Sequence, residues 1–235
     1  MTTGPRSAHE NLRAAILSFE LLPGEPLSER GLEDALGASR TPIRAALLRL
    51  EAEGLTQRAG RGWRVAPIDL AEVRAVLEYR EAIEAGAVAL AVERAADDEL
   101  EALRGLVEEG RRDDDEATGL RDGSDFHVTV AQLSGNAFFA EAMRGVLTRL
   151  SRTRWLEVRT PEARAHARDE HLGILDAIRE RDAARAVALA TAHSRGTRDR
   201  LLALLADERR RLRGRGIAIV ETAPQRAEGM SAAEE

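Results

Sequence analysis

The chain has 235 residues and a formal net charge of −6, from 35 basic and 41 acidic residues. All the basic residues are arginine, and there is no cysteine, which excludes disulfide scaffolds, thiolate metal sites and cysteine nucleophiles. Aromatic residues make up only 3%, and an aliphatic composition rich in alanine favours a mainly helical protein. The sequence has no apolar run long enough to span a membrane and no signal-peptide pattern, so we expect a cytoplasmic protein with no membrane partner.

The net charge hides a basic segment near the N-terminus. Residues 39–64 contain six arginines and two glutamates, a local charge of +4. Residues 67–235 contain 26 arginines and 33 acidic residues, a sum of −7. A basic segment on an acidic body predicts a nucleic-acid surface attached to a part with a different function.

Turn signals divide the first 66 residues into short elements. The predicted elements are helices at 8–19, at 29–36 and from Ser39 to near Gly54, then strands at 56–58 and 63–66. Helix, short helix, turn, helix and hairpin is the order of a winged helix-turn-helix. We therefore predict a DNA-binding domain over residues 1–66, with three helices and a small β-hairpin wing.

After Pro67 the pattern is helical and lacks a strand signal. Residues 67–70 are predicted to be a linker, and residues 71–208 an all-α bundle of about six helices. These helices are predicted at 69–95, 97–112, 122–134, 137–157, 161–180 and 182–208. Residues 209–235 begin with a basic run and are predicted to be a disordered tail, apart from an apolar patch at 217–220. The predicted fold class is thus mainly α.

The third helix begins with side chains suited to DNA. Arg40 and Arg44 are four residues apart and lie on one face, where each can pair with guanine or phosphate through two N–H groups. Ser39 and Thr41, with the helix N-terminus, suit phosphate oxygens. The alternative is a solvated basic face on which Ser39 is only a cap.

Two further arginines extend the predicted DNA surface. Arg61 lies in the wing between Gly60 and Gly62, and the glycines allow the wing to approach a groove or the DNA backbone closely. Arg30, on the preceding helix, could add a phosphate contact. The combined pattern favours DNA binding over the solvated face.

These residues resemble the GntR family of bacterial transcription regulators. Residues 23–55 read PGEPLSERGLEDALGASRTPIRAALLRLEAEGL, and residues 61–65 read RGWRV. The resemblance covers nearly all of residues 8–66, although Ala45 stands where the family usually has glutamate. It implies a homodimer on a short palindromic operator in double-stranded DNA. It also matches Arg30, Arg40, Arg44, Arg61 and Gly62 to the family's DNA-contacting positions.

Three histidines point to a ligand site in the bundle. His127, His171 and His193 each lie on the apolar stripe of a different predicted helix, so all three are expected to face the core. Neutral imidazole is the commonest metal ligand, and helical bundles build metal sites from facing helices. Three histidine ligands that leave coordination positions open for water or a ligand would suit Zn, Ni, Mn or Fe. The alternative is that each is a hydrogen-bonded core histidine.

Arg80 falls inside the apolar stripe of the helix predicted at 69–95. A buried arginine needs a partner. That partner is either Glu84, four residues on, or the carboxylate of a bound effector.

The helical body resembles the FCD ligand-binding domain of the FadR subfamily. The matching segments are YREAIE at 79–84, FH at 126–127, SGN at 134–136 and EHLGILDAI at 170–178, followed by Asp182, Ala186 and His193. The resemblance implies a bundle that binds a small organic acid, often through a divalent metal. The family's metal ligands match His127, His171 and His193, and its effector-contacting arginine matches Arg80.

One position departs from that family. The usual ligand aspartate lies four residues before the first histidine, where this chain has Gly123. Asp122 could take its place if the helix were irregular or carried a π-bulge, whereas Asp125 would point away.

We therefore expect a ligand-responsive repressor or activator, without enzymatic activity, in which acid and metal alter DNA binding. One alternative is a regulator that binds its effector without metal. A second is a metal-dependent enzyme with a DNA-binding appendage, which lacks a clear general base.

Overall fold

The computed structural model describes residues 7–109, 116–212 and 217–222. The helices in these ranges are Ala8–Leu17 (α1), Glu29–Leu36 (α2), Arg40–Ala52 (α3), Leu70–Arg94 (α4), Asp97–Glu109 (α5), Glu116–Leu133 (α6), Ala137–Leu150 (α7), Pro161–Arg179 (α8) and Ala183–Leu212 (α9). The strands are Pro26–Leu27 (β1), Thr56–Ala59 (β2), Gly62–Val65 (β3), Ile68–Asp69 (β4) and Ile219–Val220 (β5), and a 3-10 helix spans Arg154–Val158. None of the described helices is long and apolar enough to cross a bilayer.

The N-terminal unit is the predicted winged helix-turn-helix. Helices α1, α2 and α3 and the small sheet share one apolar core, which includes Ile16, Leu47 and Trp63. The wing sheet has a third strand that the sequence pattern did not indicate, because β1 pairs with β3 in the order β1-β3-β2. Leu27 buries its side chain in this pairing, and Pro26 is tolerated because β1 is an edge strand.

The helical body is built around the two long helices α4 and α9, which pack extensively against each other. Helices α5, α6 and α8 enclose one apolar cluster against them, and α7 closes a second cluster with α4 and α9. Both clusters are mostly aliphatic, as the composition predicts, with Phe126 in the first. This architecture confirms the expected fold class.

The helix predicted at 137–157 is interrupted. Helix α7 ends at Leu150, and the 3-10 helix follows after a turn. The Ser151 and Thr153 hydroxyls donate hydrogen bonds to the Thr148 and Leu150 carbonyls, so the side chains compete with the continuing helix. Helix α6 also begins at Glu116, earlier than the predicted start at residue 122.

Two short strands connect the linker to the C-terminal part of the chain. Strand β4 lies within residues 67–70 and pairs in parallel with β5, which coincides with the apolar patch at 217–220. Strands of two residues are too short to show an alternating pattern, so this pairing could not be predicted from the sequence. Helix α9 continues to Leu212, into the basic run, and the predicted disorder of 213–216 and 223–235 lies outside the described residues.

Candidate functional sites

The first turn of α3 presents its polar side chains to solvent. Arg40, Thr41 and Arg44 are all exposed, and Gly37, with φ of 61°, makes the turn that joins α2 to α3. Ser39 occupies the N-cap position, but its side chain makes no capping hydrogen bond to the described α3 backbone. Ser39 is thus the N-cap residue without a side-chain capping bond, and its exposed hydroxyl remains suited to a phosphate.

Two glutamates of α2 face these arginines. The Arg40 Nε lies 3.1 Å from the Glu33 carboxylate, and the Arg44 Nε lies 3.6 Å from that of Glu29. Exposed ion pairs of this kind contribute about 1 kcal/mol or less, so a phosphate can replace them. The sequence analysis missed these two residues, although their four-residue spacing places them on one face of α2.

The wing carries its arginine at the tip. Gly60, with φ of 58°, and Arg61 form the two-residue turn between β2 and β3, and the Arg61 side chain is exposed. Gly62 is the first residue of β3, and the Arg58 guanidinium stacks over the buried Trp63 ring at 3.8 Å. Arg30, in the first turn of α2, is also exposed.

The three predicted histidines meet inside the helical body. His127 lies on α6, His171 on α8 and His193 on α9, and all three are buried. Each offers one nitrogen to a group whose members lie within 4.8 Å of one another. Three imidazoles at this separation fit the first coordination shell of a divalent metal ion.

Carboxylates orient two of the rings from behind. The Nδ1 of His127 lies 2.5 Å from Glu84 Oε1, and the Nδ1 of His193 lies 2.8 Å from Glu170 Oε2. Each Nε2 therefore turns to the centre of the group, an arrangement common around metal-binding histidines. The sequence analysis missed Glu170, which precedes His171 directly.

His171 has a buried nitrogen that the protein leaves unpaired. Its ring stacks on Phe126 with centroids 3.9 Å apart, and its Nε2 has no hydrogen-bond partner among the described residues. A buried polar atom without a partner is costly, so this nitrogen points to a ligand. The donor set therefore fits a metal ion.

Burial keeps His127 and His171 neutral. It lowers the pKa of His127 to about 3, helped by the nearby Arg80 charge, and it lowers the pKa of His171 well below its usual range. Neutral imidazoles keep a nitrogen lone pair for a metal at neutral pH.

Arg80 lies fully buried beside the histidines, as the apolar stripe predicts. Its Nε is 3.2 Å from Glu84, and its Nη2 is 2.6 Å from His127 Nε2 and 3.4 Å from His193 Nε2. The Ser194 hydroxyl donates a further hydrogen bond of 2.6 Å to Glu84. Burial raises the pKa of Glu84, but the charges around it outweigh that effect and hold the pKa well below the usual value.

A cavity of about 140 Å³ opens beside the three histidines. Arg154, in the 3-10 helix, lies on its wall, buried, and donates a hydrogen bond of 2.6 Å to the Ser124 hydroxyl. Burial lowers the pKa of Arg154 to about 10, so the group stays positive at neutral pH. The sequence analysis missed Arg154 because it extended a helix through 151–153, where the Ser-Arg-Thr run was the available signal.

Asp122 is the candidate carboxylate ligand, and Gly123 stands at the position where the family has its ligand aspartate. Asp122 lines the cavity wall but does not belong to the group of converging nitrogens, and α6 is a regular α-helix around it. Gly123 faces that group, since a Cβ there would lie 3.9 Å from His171 Cε1 and 3.2 Å from Arg154 Nη2. The position in line with the histidines thus carries no side chain, and Arg154 lies beside it.

Each of the two structural units matches a known protein family. Residues 6–65 match the family described as bacterial regulatory proteins, gntR family, and residues 75–196 match the FCD domain. The chain is 30% identical to the Nta operon transcriptional regulator of Aminobacter aminovorans, over 80% of this chain and 90% of that protein. It is 35% identical, over 77% of each chain, to an HTH-type transcriptional regulator of Streptomyces ambofaciens.

Solved structures share the fold. The structure of E. coli McbR/YncC aligns with a TM-score of 0.69 at 22% identity, over 84% of this chain and 96% of that one. A GntR regulator from Rhodococcus sp. RHA1 aligns with a TM-score of 0.69 at 20% identity, over 83% and 95% of the two chains. The relatives are transcription regulators, which argues against the metal-dependent enzyme.

Proposed function

Because this chain belongs to the GntR family of bacterial transcription regulators and carries an FCD domain, we propose that it is a metal-dependent regulator whose affinity for DNA is controlled by a small organic acid. It binds a palindromic operator as a homodimer of the FadR subfamily, in the cytoplasm where bacterial DNA lies. The convergence of three buried histidines beside a cavity is the observation that carries the proposal.

The histidines of the group hold the ion, and the protein around them prepares the site. Glu84 and Glu170 fix the rings of His127 and His193 with each Nε2 facing inward. A bound divalent ion supplies a positive, Lewis-acidic centre that attracts a carboxylate. The cavity is smaller than pockets for drug-sized ligands, which are about 300–1,000 Å³, so it suits a small acid.

The DNA surface is formed by α3 and the wing. Arg40 and Arg44 enter the major groove with the N-terminal turn of α3, while Arg61 reaches the backbone or the minor groove. Arg30, Ser39, Thr41 and Gly62 lie on the same exposed surface and contact phosphates.

Metal analysis of the purified protein tests the ligand site. Wild-type protein purified without chelators should hold one divalent ion per chain, and His171→Ala should hold much less. His9→Ala is the control, because His9 lies on α1 in the N-terminal unit and pairs with Glu53. Absence of metal from the wild type would favour the metal-free regulator instead.

Operator binding tests the DNA surface. Arg40→Ala should weaken binding by about tenfold or more, since a bidentate base contact is worth about 1–3 kcal/mol. Arg49→Ala, at the other end of α3, is the control and should leave the affinity unchanged. Equal affinities for the two variants would contradict the groove assignment.

A further inference from the structure

We propose that the acid effector supplies the negative charge that this ligand set lacks, so that the ion and the acid each bind much more tightly when the other is present. Arg154 binds the carboxylate of the acid in the space beside Gly123. The inference rests on the proposed function and adds to it an acid-binding residue, a ligand class and a rule of coupling.

The ligand set brings no negative charge to the ion, because a histidine binds a metal through its neutral imidazole. Glu84 and Glu170 contact the Nδ1 side of His127 and His193, away from the centre. Glu84 is in addition the partner of Arg80. Among the described residues no carboxylate joins the three converging histidines, so burying a divalent ion there is unfavourable without an added anion.

The Arg80 guanidinium already occupies part of the space between the histidines. The Arg80 Nη2 hydrogen bonds to His127 Nε2 at 2.6 Å and lies 3.4 Å from His193 Nε2. The ion and the guanidinium compete for the same nitrogen lone pairs, and their positive charges repel each other. An anion relieves this repulsion and gives the displaced guanidinium a partner.

Gly123 leaves an open space between Arg154 and His171. A side chain at Gly123 would project between Arg154 Nη2 and His171 Cε1, at 3.2 and 3.9 Å from its Cβ. Glycine leaves this space to a carboxylate that enters from the cavity. Arg154 is buried, positive and held by Ser124, so it is oriented before the acid arrives.

The lining of the cavity indicates a dicarboxylate. Its charged groups, the histidines aside, are four arginines and two acids, namely Arg154, Arg164, Arg168, Arg200, Asp122 and Glu157. The excess of positive charge suits a second carboxylate at the far end of the ligand. Succinate, a four-carbon dicarboxylate, is therefore a suitable probe.

The test follows Co²⁺ binding by its visible absorption in carboxylate-free buffer, with and without succinate. Wild-type protein should bind Co²⁺ weakly alone and about tenfold or more tightly with succinate, within the range usual for coupled ligands. Gly123→Asp should bind Co²⁺ tightly without succinate and gain little from it. Gly123→Asn, of the same size but uncharged, should not show this gain.

A second variant, Arg154→Met, tests the same coupling if Gly123→Asp does not fold. Arg154→Met should bind Co²⁺ alone at least as well as the wild type but lose the gain from succinate. Equal Co²⁺ affinity with and without succinate in the wild type overturns the inference while leaving the metal site intact. No Co²⁺ binding above that of His171→Ala in any variant instead overturns the metal part of the proposed function.

Discussion

Arg80 shows how far the sequence determines a single side chain. The spacing of Leu77, Ile83 and Ala87 places residue 80 on the buried stripe of α4, and Glu84, one of the two partners considered, forms an ion pair with it. The contact from Glu84 to His127 was not predictable, because it depends on how α4 and α6 rotate against each other. Periodicity gives the face of a helix, whereas contacts between helices are set by packing across the whole bundle.

Replacing one member of the buried Arg80–Glu84 pair should lower the unfolding free energy more than replacing both. Glu84→Gln leaves the Arg80 charge buried and uncompensated, and we expect a loss of about 3–5 kcal/mol in unfolding free energy. The double variant Arg80→Met/Glu84→Gln should recover most of this loss. Urea unfolding of the metal-free protein gives these values together with that of Arg80→Met alone, and strictly additive effects of the two single variants would mean that the residues are not coupled.

The 3-10 helix and the turn before it connect the cavity to the DNA-binding unit. Arg154 faces the cavity, whereas Arg152 donates hydrogen bonds to the Ala66, Gly54 and Pro67 carbonyls. Trp155 packs edge to face against Phe19 at 6.2 Å. A shift of this segment on ligand binding would therefore be felt in the N-terminal unit. The prediction missed the segment because it joined the apolar residues on either side of 151–153 into one helix, while the break comes from local hydroxyl hydrogen bonds.

Arg152→Met should uncouple the metal site from operator binding. It removes hydrogen bonds to three backbone carbonyls, each worth about 1.5–3 kcal/mol when the donor is charged, but touches none of the three histidines. We expect unchanged metal content, while chelation of the metal changes operator affinity much less than in the wild type. Arg185→Met, which loses an exposed ion pair with Glu180, is the control. An equal response to chelation in Arg152→Met and wild type would contradict this role.

At the scale of the whole molecule, the net charge of −6 is the sum over two units of different composition. The exposed arginines of α3 and the wing lie on one unit, and the arginines that line the cavity lie in the other. Ala218, directly before β5, bridges the N-terminal unit and β4, because its N–H donates to the Pro23 carbonyl and its carbonyl accepts from the Ile68 N–H. Gly24 permits this approach, since a Cβ there would lie 2.6 Å from the Ala218 Cβ.

Ala218→Pro should loosen the DNA-binding unit from the helical body without unfolding either. Proline removes the N–H that bonds to Pro23 and disturbs the pairing of β4 with β5, at a cost of about 1 kcal/mol for the lost hydrogen bond. We expect the Ile68 amide to exchange hydrogen about tenfold faster, with amides in the centre of α4 unchanged. Ala218→Ser keeps the N–H and serves as the control. Unaltered exchange at Ile68 in Ala218→Pro would mean that β5 does not hold the two units together.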